Sequence, residues 1–94
     1  METAVTHEQS LDRFTVHLDG ATALLMYNQQ GDTIVFTHAE VPPAIEGEGI
    51  GGLLAKAGLE YAQLNNLKVV PRCPFVASYM KQHPEYEDLM AARS

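Results

Sequence analysis

A single cysteine, Cys73, no tryptophan and only six lysines and arginines occur in this chain of 94 residues. One thiol excludes an internal disulfide framework and any cysteine-rich zinc cluster. The histidines His7, His17, His38 and His83 show no HxxxH or HExxH spacing, so no metal site is read from them. Six cationic against 12 acidic side chains leave a net charge of −6 and a pI near 5.0. Nucleic-acid binding needs a basic field to displace counterions, and this chain has none overall. The most apolar short stretch, residues 21–27, is far below the ~20 residues that span a bilayer. Residues 1–12 hold early acids and no apolar run, unlike a secretory leader. The expected address is therefore cytoplasmic, away from membranes.

What is present suffices for one globule. With 46% hydrophobic and 19% charged residues, the chain reads as a single folded domain over residues 1–94. The acidity is unevenly placed. Residues 1–47 hold seven acids and one base, Arg13, which gives −6, while residues 48–94 hold five of each and are neutral. An anionic ligand is expected against the second part.

The first part reads as strands. Phe14, Val16 and Leu18 alternate with Thr15, His17 and Asp19, a period of two with one buried face. Asp19-Gly20 is a favoured hairpin turn. Residues 21–27 follow, and Gln29-Gln30-Gly31-Asp32 offers the next turn. Residues 33–41 form a third strand, with Ile34, Phe36 and His38 on one face, closed by Pro42-Pro43 because proline cannot donate to a ladder. The period then changes. Ile50, Leu53, Leu54, Ala57, Tyr61 and Leu64 follow helical spacing. Residues 67–71 make a short strand, which after a helical crossover most often lies parallel in the same sheet. A helix from Pro74 through Gln82 and a final turn beyond His83-Pro84 complete the order. The fold class is α+β, in a mixed α/β arrangement. It comprises an antiparallel three-strand meander, a crossover helix, a parallel strand and a C-terminal helix.

Glu46-Gly47-Glu48-Gly49-Ile50-Gly51-Gly52 joins the third strand to the first helix. Glycines there let backbone N–H groups approach a ligand, and a helix start adds free amides and partial positive charge, a cradle for pyrophosphate. The spacing is neither a Walker loop nor a Rossmann fingerprint. The plainer alternative is glycines that pack a helix closely on a sheet.

Five ordered segments resemble one family. They are Tyr27 before the second turn, Phe36-Thr37-His38-Ala39-Glu40-Val41-Pro42, Gly47-Glu48-Gly49-Ile50-Gly51, Pro71-Arg72-Cys73-Pro74-Phe75-Val76, and Tyr79 with His83-Pro84-Glu85-Tyr86. Over roughly residues 12–89 the chain resembles the minimal GCN5-related N-acetyltransferase-like (GNAT-like) proteins, with motif A of that family mapped onto Glu46, Gly49 and Gly51. The resemblance implies acetyl-CoA as co-substrate, no metal, and acetyl transfer to an unidentified amine on a small molecule or protein. The alternative is a non-catalytic module that binds acetyl-CoA or CoA. It further implies that the third strand and the strand after the helix splay apart to admit pantetheine. Backbone groups around Glu40 and Val41 would hold the arm, amides of Glu46, Gly47, Glu48, Gly49, Ile50 and Gly51 the pyrophosphate, and Arg72 and Cys73 would border the acetyl group. Glu46 replaces the Gln or Arg of the larger family and sets a carboxylate beside a phosphate site, with Lys56, Arg72 and Lys81 as candidate counter-charges. The chain is too short for the helices that build an acceptor pocket in larger relatives, so that surface is open or completed by a partner. The expected state is a monomer or weak dimer.

Three side chains carry the candidate chemistry. Cys73, beside Arg72 at a strand-to-helix junction, is in a setting that favours thiolate, as a nucleophile or as thioester lining; otherwise it is a small buried apolar residue. His38 is a candidate base or donor, or else a satisfied core histidine. Tyr79 resembles the tyrosine that protonates departing CoA thiolate in larger relatives, with packing as its other role.

Overall fold

The computed structural model describes residues 4–47 and 49–90. One five-stranded sheet runs in sequence order: β1 (Thr6–Glu8), β2 (Arg13–Leu18), β3 (Ala21–Gln30), β4 (Thr33–Glu40) and β5 (Lys68–Pro71). All neighbours are antiparallel except β4 and β5. Helix α1 (Ile50–Leu64) makes the crossover, and α2 (Pro74–Gln82) follows β5. A 3₁₀ segment, Pro84–Leu89, comes last among the described residues. The α+β class and the meander–crossover–parallel order agree with the sequence reading.

Three details depart from it. β1 is an edge strand that the sequence reading left unassigned; three residues carry too little periodicity to register. It is held by side chains: the His7 ring stacks on Phe14 at 4.1 Å, and its Nε2 shares a 2.6 Å hydrogen bond with the Tyr27 hydroxyl. β3 runs three residues beyond its expected end at Tyr27, because Asn28, Gln29 and Gln30 pair with Val35, Ile34 and Thr33 across a two-residue turn. On α1 the buried stripe is Ile50, Leu54, Ala55, Gly58, Leu59 and Ala62, while Leu64 is 84% exposed. Small residues, not the largest ones, let the helix approach the sheet: a Cβ on Gly58 would lie 2.7 Å from Phe36 Cε1.

A bulge in β4 changes which side chains face the core. Tyr27 pairs with Phe36 but Met26 pairs with His38, so Thr37 is an extra residue in β4. Such an insertion bends the strand and inverts its alternation. Ile34 and Phe36 are buried on the core face; beyond the bulge Ala39 and Val41, not His38, pack against that core. The sequence reading put His38 with Ile34 and Phe36, and the bulge corrects it.

Candidate functional site

The site arises where β4 outruns its parallel neighbour. The β4–β5 pairing stops at Phe36–Pro71, since proline brings no N–H to extend the ladder. One further bond, from the Cys73 N–H to the Phe36 carbonyl at 2.9 Å, closes the junction. Past it β5 turns into α2 while β4 continues to Glu40, and a gap opens between them.

Two cavities occupy that gap. One of about 460 Å³ is lined by Ala39, Val41, Glu46, Gly47, Gly49, Phe75 and the first turn of α1. The other, about 470 Å³, is lined by Thr37, His38, Cys73, Pro74 and Ser78, and it shares Ala39 and Phe75 with the first.

The first cavity is suited to an anion. Helix α1 begins after Gly49, which sits at φ +75°, a left-handed conformation that glycine adopts without steric cost. The Gly49 carbonyl accepts the first helical bond, from Leu53 N–H at 3.1 Å, and among the described residues no side chain caps this end. Intrahelical partners are therefore lacking for the N–H groups of Ile50, Gly51 and Gly52, which line the cavity beside the positive end of the helix dipole. The Glu46 N–H is engaged with the Pro43 carbonyl at 3.3 Å, which narrows the cradle to the helix start. Glu46 lines the cavity with an exposed side chain, and Glu48 lies outside the described residues. Among the described residues no lysine or arginine lines this cavity. Lys56 and Arg72 are exposed elsewhere, and Lys81 lines a separate hollow with Pro71 and Met80. Any anion there is held by backbone dipoles rather than ion pairs.

The second cavity gathers groups capable of nucleophilic and proton-transfer chemistry. Cys73 is 2% exposed and precedes the first residue of α2. His38 and Glu40 lie on the exposed side of β4, and His38 Nε2–H donates to Glu40 Oε2 at 2.7 Å. The Glu40 carboxylate is thus turned to His38, while Val41 borders the first cavity. Ser78 and Thr37 add hydroxyls that the sequence reading passed over. A signal for Ser78 exists: it lies i+4 from Pro74 and i+3 from Phe75, so the three share one face of α2.

Tyr79 lines neither cavity. Its ring stacks on His83 at 4.0 Å and is tilted against Tyr86 at 6.2 Å. Burial, then the carboxylates of Glu85 and Glu60, raise its pKa, which keeps the hydroxyl protonated within a packing cluster. Arg72 likewise lies off both linings. Among the described residues no group of three or more His, Cys, Asp or Glu side chains is placed to hold a metal, and no helix is long and apolar enough to cross a membrane.

Comparison with known proteins matches this geometry. A family model described as GCN5-related N-acetyl-transferase matches residues 13–89. Protein NATD1 of Gallus gallus is 39% identical over 83 residues, covering 85% of this chain and 76% of its own. Protein NATD1 of Homo sapiens is 39% identical over 83 residues, with 85% and 74% covered. In structure, the chain resembles a GCN5-like candidate N-acetyltransferase from Staphylococcus aureus solved in solution by NMR, with TM-score 0.73 and 27% identity over 93% of this chain and 86% of that one.

Proposed function

The chain belongs to the GCN5-related N-acetyltransferase family, and from that premise we propose that it transfers an acetyl group from acetyl-CoA to an amine. One observation carries the reading. Uncapped amides at the start of α1 and the thiol of Cys73 open onto adjoining cavities of one gap, as a ligand with a diphosphate at one end and a thioester at the other requires. The fit rests on backbone. Gly51 has no Cβ, and the Phe75 ring takes the space that a Cβ would fill.

In this reading the N–H groups of Ile50, Gly51 and Gly52 hold the diphosphate, and the strand end at Glu40 and Val41 borders the pantetheine arm. Acetyl-CoA supplies the activated acyl group. His38, oriented by Glu40, takes the proton that the amine must lose on attack. A backbone amide near Val41 stabilises the oxyanion. In a covalent variant the Cys73 sulfur attacks the thioester carbonyl and CoA leaves as its thiolate; the amine then attacks the acetyl-Cys73 thioester and releases the Cys73 sulfur, its proton passing to His38. The acceptor side is open and includes the exposed His38–Glu40 pair, which suits an amine presented on a larger body or in a partner's pocket.

Incubation with acetyl-CoA and a panel of amines, with free CoA thiol as the readout, tests the proposal. Amine-dependent thiol release is expected, together with a higher melting temperature in acetyl-CoA. At a hundred times Kd a ligand adds about 2.7 kcal/mol, or roughly 10–20 °C for a domain of this size. Stabilisation without amine-dependent release identifies a binding module instead. Absence of both refutes the reading.

A further inference from the structure

Phe75 is a large apolar side chain left 42% exposed at the second position of α2, and it is shared by the linings of both cavities. Its ring does not point idly to solvent. A Cβ built on Gly51 would overlap Phe75 Cζ and stand 2.7 Å from Cε2. In a helix the Cα–Cβ bond leans toward the N-terminus, the direction in which the free amides also point. The ring tip therefore fills the glycine-vacated space at the first turn of α1, and Phe75 borders both the cavity there and the one at Cys73. It is held there by contact alone, so it yields to a ligand that offers something in exchange.

We propose that Phe75 is a specificity-determining residue that makes the site select coenzyme A over nucleotides carrying only a diphosphate, such as ADP. This inference rests on the acetyl-CoA reading above. Any diphosphate that reaches the Gly51 amide must first push the ring off Gly51. Coenzyme A recovers that cost, because its pantetheine arm continues past Phe75 toward Cys73 and covers the displaced ring. ADP ends at the cradle and leaves the ring with nothing to pack on. Discrimination thus comes from an obstacle that penalises the wrong ligand, within a site where, among the described residues, no cationic side chain in the lining distinguishes one phosphate from another.

Titration calorimetry of wild type, Phe75→Ala and Phe75→Leu with CoA and with ADP tests this. Partial exposure of the ring leaves the fold intact in both variants, checked by circular dichroism. Phe75→Ala is expected to tighten ADP about tenfold while CoA changes by less than about threefold, so that selectivity falls about tenfold, roughly 1.4 kcal/mol. Phe75→Leu is expected to fall between. In wild type the Gly51 α-protons should carry a ring-current shift that disappears on CoA saturation. The proposal is overturned if ADP affinity does not rise, if selectivity falls only because CoA weakens, or if the ring-current shift persists with CoA bound. These outcomes leave CoA binding itself standing. If neither ligand binds wild type or variant, the acetyl-CoA reading falls and this inference with it. ADP binding that appears only in the variant supports the obstacle, whereas CoA binding that appears only there overturns the proposal.

Discussion

Replacing Gly58 by alanine adds one methyl group where α1 lies closest to the sheet. The new Cβ would stand 2.7 Å from Cε1 and 2.9 Å from Cζ of Phe36, and 3.3 Å from Cδ2 of Leu25. Phe36 is 0% exposed and Leu25 1%, so neither can swing away into solvent. Overfilling a packed core costs about 1–3 kcal/mol, against a helix-propensity gain of about 1 kcal/mol for glycine to alanine. The net expectation is a loss of about 1 kcal/mol, or a melting temperature about 4–8 °C lower for a domain of this size. Gly52 in the same helix is the control. Among the described residues its Cβ would meet only Tyr79 Cε2, at an ordinary 3.7 Å. Gly52→Ala should therefore gain about 1 kcal/mol from propensity alone. Thermal unfolding followed by circular dichroism without ligand reads both, since Gly52 also lines the anion cavity. A Gly58→Ala protein that melts at or above wild type would falsify the close-packing account. In a Phe36→Leu background the Gly58→Ala penalty should shrink by more than about 0.5 kcal/mol, because the two sites share the overlap.

Two further expectations concern the thiol and the edge strand. Cys73→Ala should retain acetyl-CoA stabilisation in a melting assay yet lose amine-dependent CoA release if the covalent route operates; unchanged turnover would leave direct attack. His7 has its pKa lowered, chiefly by burial and partly countered by the Asp12 carboxylate. A histidine less basic in the fold than when unfolded opposes folding once protonated, so its contribution is intact above about pH 6.5 and is lost as pH falls below that value. Melting curves from pH 8 to pH 5 should show wild type losing more stability than His7→Gln, and equal losses would refute the linkage. Over the same range Tyr27, pushed up to about 12 by burial and by the nearby Tyr61 and Asp12, should not titrate.

Local chemistry was legible wherever one residue type permits few backbones. Asp19-Gly20 turns with both residues at positive φ, 52° and 78°, as a two-residue hairpin requires. Pro42 and Pro43 end β4, and Pro74 opens α2. The glycine stretch was legible as a strand-to-helix junction because strand, then glycines, then helix is a local pattern, and Cys73 as the residue before Pro74 at the start of α2. The β4 bulge was not, because nothing in residues 33–41 marks Thr37 as an extra residue. Only pairing with Met26 and Tyr27 on β3 does so, and with it His38 leaves the core face.

By itself the sequence determined the class of the fold, the order of its elements, the absence of a basic field and the position of the glycine-flanked start of α1. Each follows from periodicity, composition or the conformational limits of glycine and proline, which act over a few residues. Only the tertiary structure decided that Leu64 is exposed while Gly58 and Ala62 are buried, that Tyr79 packs away from the gap, and that Phe75 rests on Gly51. Those outcomes depend on how closely α1 and α2 approach the sheet and each other. That distance is set by contacts between residues far apart in the chain, which spacing within a single segment does not encode.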